Sequence, residues 1–260
     1  MAYDYVAFKS DFYKLTGIDL NLYKERQMKR RIESLMTRKG FSGYDLFYKG
    51  MKQDEELLRT FVRYLTINVS QFYRNPNQWE TFEKDVLPML CKRFNNRLNI
   101  WSAACSTGDE PYTIAMICAK YMSIEHIRIY ATDIDDDVLA FAKAGVYSAK
   151  SLVDLPMEYK EKWFHSLDDN HYEIDKKIKK CVTFSKHNLL ADPYYKDIHL
   201  IVCRNVVIYF TEEAKDKVYM QFCDSLMDDG ILFIGSTEQL LRPKEFGFES
   251  FNTFFYKKHK

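Results

Sequence analysis

Residues 101–116, WSAACSTGDEPYTIAM, decide how this chain is read. An apolar run enters through Leu98, Ile100 and Trp101, the chain turns at Gly108, and a helical pattern follows with Pro111 suited to its first position. Ile114, Ala115, Ile117 and Cys118 can face a sheet. Strand, tight turn and helix in that order make the junction at which doubly wound proteins bind nucleotide-like ligands. Here the first helical turn carries Asp109 and Glu110. A helix N-terminus welcomes anions through its free N–H groups and dipole. Two carboxylates placed there repel a pyrophosphate and favour a cation. The next strand-like run, 129–131, leads into Thr132-Asp133-Ile134-Asp135. Asp133 stands 25 residues after Gly108, close to the spacing at which a second strand offers an acid to ribose hydroxyls. S-adenosylmethionine, with its ammonium, sulfonium and ribose, suits both groups.

Working outward, residues 5–73 read as helical, with Leu57, Leu58, Phe61, Val62 and Leu65 at three-to-four spacing and stops at Gly17, Gly40 and Gly43. Asn75-Pro76-Asn77 signals a turn, and 79–94 reads as a further helix. From residue 97 strand-like runs at 99–103, 126–131, 181–186, 199–203, 231–236 and 253–256 alternate with helical ones, which implies a βαβ sheet. Residues 147–180 interrupt this rhythm with Pro156, a helix through Trp163-Phe164 and a strand at 171–174. The expected fold is α/β: a helical N-terminal domain, 1–75, followed by a Rossmann-like domain, 76–260, with an inserted β-subdomain at about 147–180.

With 260 residues and 47% hydrophobic content the chain can bury one sizeable core and a small accessory one. Nothing resembles a signal peptide or a bilayer-spanning run, so a cytoplasmic protein without membrane insertion is expected. Six cysteines without a C-x-x-C pair read as reduced core thiols, and six dispersed histidines give no metal site. The net charge of +1 hides a basic segment. Residues 21–40 hold Lys24, Arg26, Lys29, Arg30, Arg31, Arg38 and Lys39 against Glu25 and Glu33. Aromatics are not interleaved there as a nucleic-acid surface requires, so an acidic protein partner is expected and nucleic acid is not. No heptad seam is present, which points to a monomer.

Five motifs together resemble the chemotaxis-receptor glutamate methyltransferases: Asn68-Val69-Ser70-Gln71-Phe72-Tyr73-Arg74, the 101–116 junction, Ala131 to Asp135, Asn188-Leu189-Leu190, and Cys203-Arg204-Asn205-Val206-Val207-Ile208-Tyr209-Phe210. The resemblance covers nearly the whole chain. It implies that S-adenosylmethionine is held between the two domains and gives its methyl group to glutamate side chains on the helical bundle of chemoreceptors, leaving S-adenosylhomocysteine. By the same resemblance Asn68, Ser70 and Arg74 cover the cofactor, Glu110 takes its amino group, Asp133 its ribose, and Asn188 and Leu189 its adenine. Arg204 and Asn205 line the cleft, and Tyr209 lies beside the methyl group. Ser70 replaces a common threonine, Asp109 a common glutamate, and Gly235-Ser236-Thr237-Glu238 a common Gly-His-Ser-Glu. The insert grips a receptor tether in some relatives. The basic segment is read as the receptor-docking face.

Since a glutamate carboxylate is already ionised at pH 7, the reaction asks for alignment and desolvation rather than a general base. Arg74 and Tyr209 are the residues expected to orient that carboxylate. Each candidate also has a plainer reading: Asp109 and Glu110 as first-turn charges, Asp133 as a cap, though Asp135 and Asp136 suit that role better, and Phe210 more than Tyr209 as a packing aromatic. Two other functions stay open at this point, a methyltransferase with another acceptor and a cofactor-sensing module that transfers nothing.

Overall fold

The computed structural model describes residues 3–259. They divide into two compact units, one of residues up to Asn68 together with Tyr209–Asp216, the other of Val69–Ile208 with 217 onward.

The first unit holds α1 (Tyr5–Thr16), α2 (Glu25–Arg38), α3 (Tyr44–Gln53) and α4 (Glu55–Thr66). Asp4 caps α1 by accepting from the Val6 and Ala7 N–H groups, and Asp54 caps α4 by accepting from Glu56 and Leu57. The helices pack through Phe8, Phe12, Phe47 and Phe61; the Phe12–Phe61 and Phe47–Phe61 rings meet edge to face at 4.9 and 5.2 Å. On α2, Met28, Ile32, Leu35 and Met36 are buried, which leaves Arg26, Lys29 and Arg30 on the exposed side. Arg31 and Arg38 lie over the Tyr64 ring at 4.5 and 4.6 Å, and Arg31 also donates to the Tyr64 carbonyl. The later segment joins this unit by a bridge between Tyr23 and Phe210, the Lys24 N–H donating to the Tyr209 carbonyl and the Thr211 N–H to that of Leu22, both at 2.9 Å.

The second unit begins with α5 (Pro76–Thr81) and α6 (Leu87–Arg93), separated by a π turn, Phe82–Val86. The spacing predicts one helix over 79–94. Pro88 has no N–H to give, and the wider turn just before it takes up the register. Then follow β1 (Leu98–Ala103), α7 (Asp109–Cys118), β2 (Ile127–Asp133), α8 (Asp136–Ala144), β3 (Val146–Ser148), α9 (Met157–Trp163), β4 (Phe164–Ser166), β5 (His171–Ile174), α10 (Lys176–Lys179), β6 (Val182–Lys186), β7 (Ile198–Cys203), α11 (Glu212–Ser225, which starts in the segment above), β8 (Leu226–Ile234), β9 (Phe248–Asn252) and β10 (Phe255–Lys258). Seven strands form one sheet in the order β6-β2-β1-β7-β8-β10-β9. The first five are parallel, and β10 runs antiparallel to both its neighbours. Ile100 is in register with Ile129 on one side and Leu200 on the other. The chain builds outward from β1 through β2 to β6, then returns to β7 on the opposite side, so the switch in direction falls beside β1, where such sheets open a crevice at their C-terminal ends.

Strands β3, β5 and β4 form a separate antiparallel sheet within the insert. Three strands escape the sequence pattern, the first being β3, whose three residues are too few to show a period. Phe164 ends the helical reading but starts β4, and β9 is a short edge strand whose two phenylalanines are three residues apart and give no period-2 signal. Helix α7 is buried from Pro111 through Cys118 on every side, not on one stripe. All six cysteines are buried free thiols. Among the described residues no helix is long and apolar enough to cross a membrane.

Candidate functional site

The C-terminal ends of β1, β2, β6 and β7 carry the candidate residues of the second unit other than Ser70 and Arg74, which precede α5. After β1 the backbone takes positive φ at Ala104 (59°), Ser106 (49°) and Gly108 (88°). Such a run is strained for residues other than glycine, so its surroundings must hold it. The Cys105 N–H donates to the Thr132 carbonyl and the Ser106 N–H to Asp133 Oδ2, both at 2.8 Å, while the Tyr147 hydroxyl donates to the Thr107 carbonyl at 2.7 Å. At Gly108 a Cβ would fall 2.8 Å from Ala142 Cβ and 3.0 Å from the Tyr147 hydroxyl, so only glycine fits.

The two acids that open α7 have separate roles. Asp109 is buried and bound within the protein, its carboxylate accepting from the Thr107 hydroxyl at 2.6 Å and from the Ser70 hydroxyl. Thr113, one turn on, accepts from the Tyr73 N–H, so this helix start also anchors the 70–74 segment. Glu110 stays 14% exposed. Ser102 donates to its Oε1 at 2.8 Å, and Arg204 Nη1 lies 3.5 Å from its Oε2. Burial pushes the carboxyls of both acids above their ordinary range; at Glu110 the Arg204 charge and the Ser102 hydroxyl oppose the shift. Glu110 is thus a carboxylate oriented through both oxygens and still partly exposed, a group suited to an ammonium.

Arg204, just past β7, is itself buried. Its Nη2 donates to the Arg74 carbonyl (2.8 Å), Asn75 Oδ1 (3.1 Å) and Gln78 Oε1 (2.7 Å), and the guanidinium lies 5.0 Å from the Trp79 and Phe233 ring centres. Arg204 Nε and the Ser106 hydroxyl are buried without a partner among the described residues, as polar atoms next to a ligand site can be. Arg74 places its own guanidinium on the Val69 carbonyl at 3.1 Å.

Asp133 ends β2, 5% exposed, accepting from the Ser106 N–H through Oδ2 and from the Asp135 N–H through Oδ1 at 3.1 Å. Burial raises its pKa to about 6 against those N–H contacts. It is no helix cap: Asp135 caps α8 by accepting from the Asp137 N–H. The next strand over brings His187, whose N–H donates to the Asp133 carbonyl, and then Asn188 and Leu189. Asn188 spends its side-chain oxygen on the Leu190 N–H, and Leu189 is buried. Ser70, Arg74, Glu110, Asp133, Asn188, Leu189, Arg204 and Asn205 therefore all belong to the second unit, whereas Asn68 and Tyr209 belong to the first.

The comparisons bear on this arrangement directly. Residues 68–255 match the family model described as CheR methyltransferase, SAM binding domain, and residues 3–66 match CheR methyltransferase, all-alpha domain. The chain belongs to the CheR methyltransferase family. It is 43% identical over 253 residues to a chemotaxis protein methyltransferase of Listeria monocytogenes, covering 97% of this chain and 96% of that protein. A chemotaxis protein methyltransferase of Listeria innocua is 42% identical over the same shares, and one of Borreliella burgdorferi 32% identical over 88% of this chain and 85% of its own. As a CheR methyltransferase the chain is an S-adenosylmethionine-dependent enzyme, and its residues fit that cofactor. The acidic helix start keeps one carboxylate partly exposed, a second carboxylate ends the neighbouring strand, and Gly108 has no room for a side chain.

Three residues around the site went unread in the sequence, and a fourth, Glu238, was quoted only as the end of a motif with no role given to it. Ser102 and Gln78 are polar positions inside buried runs, a signal available from pattern alone. Tyr147 and Glu238 carry no such signal, because their partners lie far along the chain.

Proposed function

We propose that this enzyme methylates glutamate side chains of chemoreceptors in chemotactic adaptation, as the names of its relatives and the family resemblance suggest. The observation that carries the reading is Glu110, a partly exposed carboxylate held by Ser102 and Arg204 just past the C-terminal end of β1. In this reading Glu110 takes the cofactor's ammonium and Asp133 its ribose hydroxyls, while Asn188 and Leu189 meet the adenine. Asn68, Ser70, Arg74, Arg204 and Asn205 complete the enclosure. The bound cofactor supplies an electrophilic methyl group on a sulfonium, and an acceptor carboxylate oxygen takes it to give an ester and a neutral thioether.

The protein's part is to align an already ionised acceptor and to exclude water, since charge disperses as the bond forms. Arg74 and Tyr209 orient the acceptor, Arg74 by a planar two-pronged contact and Tyr209 through its hydroxyl. Arg74 must hold the carboxylate without binding the ground state more tightly than the transition state. The exposed Arg26, Lys29 and Arg30, with Lys24 and Arg31 beside them in sequence, form the docking face for an acidic receptor bundle, and the enzyme acts as a cytoplasmic monomer. Transfer of radiolabelled methyl from S-adenosylmethionine to receptor-containing membranes tests the proposal. Base-labile label on receptor, weakened in Tyr209→Phe, supports it; no label on receptor despite cofactor binding sends the search to another acceptor or to a sensing role.

A further inference from the structure

The turn after β7 carries Arg204 and Asn205, and one buried side chain from elsewhere holds it. Glu238 is 4% exposed, and both its oxygens are occupied by backbone donors. Oε2 accepts from the Asn205 N–H at 2.9 Å and the Gly235 N–H at 2.7 Å, and Oε1 from the Val206 and Val207 N–H groups at 2.9 and 3.1 Å. Three successive N–H groups thus converge on one carboxylate, the concave arrangement that backbone makes around anions. Asn205 at φ 63° bends the chain into that curve, and its side-chain amide donates to the Thr237 hydroxyl at 2.9 Å. The strand end that presents Glu238 comes up hard against the turn. A Cβ on Gly235 would sit 2.8 Å from the Asn205 nitrogen and 2.9 Å from Glu238 Oε2.

All four contacts are donors to Glu238, so the ionised carboxylate is the form that satisfies them; a glutamine would turn its amide NH2 toward two N–H groups. Burying a charge merely to close a surface turn is costly, and water or a neutral cap closes most turns. Here the charge has a second neighbour, for Arg204 feels both Glu110 and Glu238.

We propose that Glu238 is a positioning residue of the methyltransferase, an internal anion that fills the curve of residues 205–207 and so sets how Arg204 and Asn205 face the cofactor. The proposal rests on the reading that Arg204 and Asn205 line the cofactor site. It asks Glu238 to touch no cofactor atom and to act only through the turn.

The test is calorimetric titration of S-adenosylhomocysteine into the full chain, well below the unfolding midpoint of every variant, for wild type, Glu238→Gln, Asn205→Ala and the double variant. Glu238→Gln should weaken binding by about tenfold, because two backbone donors lose their acceptor and the turn relaxes. Asn205→Ala should weaken it as well, and the double variant should bind about as poorly as the weaker single one, since both changes act through one turn. A purely structural role would lower the unfolding midpoint and leave the Kd of folded protein unchanged. Wild-type affinity in Glu238→Gln beside weakened Asn205→Ala overturns the proposal while leaving the site reading in place. Wild-type affinity in Asn205→Ala overturns the site reading and the proposal with it. If Glu238→Gln does not fold, Glu238→Asp, which keeps the charge and shortens its reach by one methylene, carries the same expectation and is overturned by the same result.

Discussion

The two units of this enzyme handle polar groups in opposite ways. Among the described residues the helical unit buries only hydrophobic side chains, its core being rings of Phe8, Phe12, Phe47 and Phe61. Every buried charged side chain belongs to the second unit, and Asp109, Asp133, Glu238 and Arg204 sit around the C-terminal ends of its parallel strands. Buried charges without partners are costly, and with partners they still rarely stabilise a fold more than apolar residues of the same shape. Their concentration at one edge of one sheet therefore marks where stability was yielded to binding. The helical unit keeps Arg26, Lys29 and Arg30 on the outside, where they can meet another surface with little effect on folding.

The sharpest break in that contrast comes at Arg204. Replacing it with methionine strands Glu110 and leaves the Arg74 carbonyl and the Asn75 and Gln78 side chains without a donor. We expect a loss of about 3–5 kcal/mol in urea unfolding, together with loss of measurable S-adenosylhomocysteine binding. A variant as stable as wild type would mean that the buried cation is not integral to this edge.

Asp133 provides a pH-dependent version. Its folded pKa of about 6 lies above the ordinary 3.8, so the folded state holds an extra proton between those values. The stability this group contributes is full below about pH 4 and is lost as pH rises through about 6. Thermal midpoints should therefore shift in favour of Asp133→Asn, relative to wild type, as pH goes from 4 to 7. Ligand affinity runs the other way, because ribose hydroxyls prefer the ionised acceptor: S-adenosylhomocysteine should bind about tenfold more weakly at pH 5 than at pH 7, as follows from the ionised fraction for a pKa near 6. That dependence should flatten in Asp133→Asn. A flat wild-type profile would remove Asp133 from the cofactor's contacts.

Smaller again is Tyr147→Phe, which removes only the hydroxyl on the Thr107 carbonyl and leaves a ring packed against Phe72 at 4.7 Å. A loss of about 1 kcal/mol is expected, read as a several-fold weaker cofactor with the helical unit's unfolding untouched. The smallest effect on folding belongs to α2. Reversing Arg26, Lys29 and Arg30 together to glutamate should change stability by no more than about 0.5 kcal/mol per site, while salt-dependent association with receptor membranes falls. Arg31→Glu is the internal contrast, because Arg31 lies over Tyr64 and donates to its carbonyl; it should destabilise the helical unit whether or not receptor binding changes. Association that survives the triple reversal would discard the docking face.

Read by pattern, the alternation of strands and helices, the glycine turn at 108 and the acidic start of α7 were all legible, because each is written in neighbouring residues with a fixed period or cap. Pattern also preferred Asp135 and Asp136 to Asp133 as the cap, and the structure gives that role to Asp135. Pattern alone left Asp109 and Glu110 alike, and it was the family resemblance that favoured Glu110. Adjacent in sequence and alike in chemistry, they part only because one faces Thr107 and Ser70 and the other faces Ser102 and Arg204.

The sequence by itself determined the order of elements, the presence of a strand, turn and acidic helix for a cationic nucleoside, and the basic face of α2. Only the tertiary structure decided which charges are buried, that Tyr147 of the insert grips the loop after β1, and that Glu238 anchors the turn after β7. The reason is range: periodicity and capping act within a few residues, whereas a buried carboxylate is defined by the donors around it, and those of Glu238 lie up to 33 residues away along the chain.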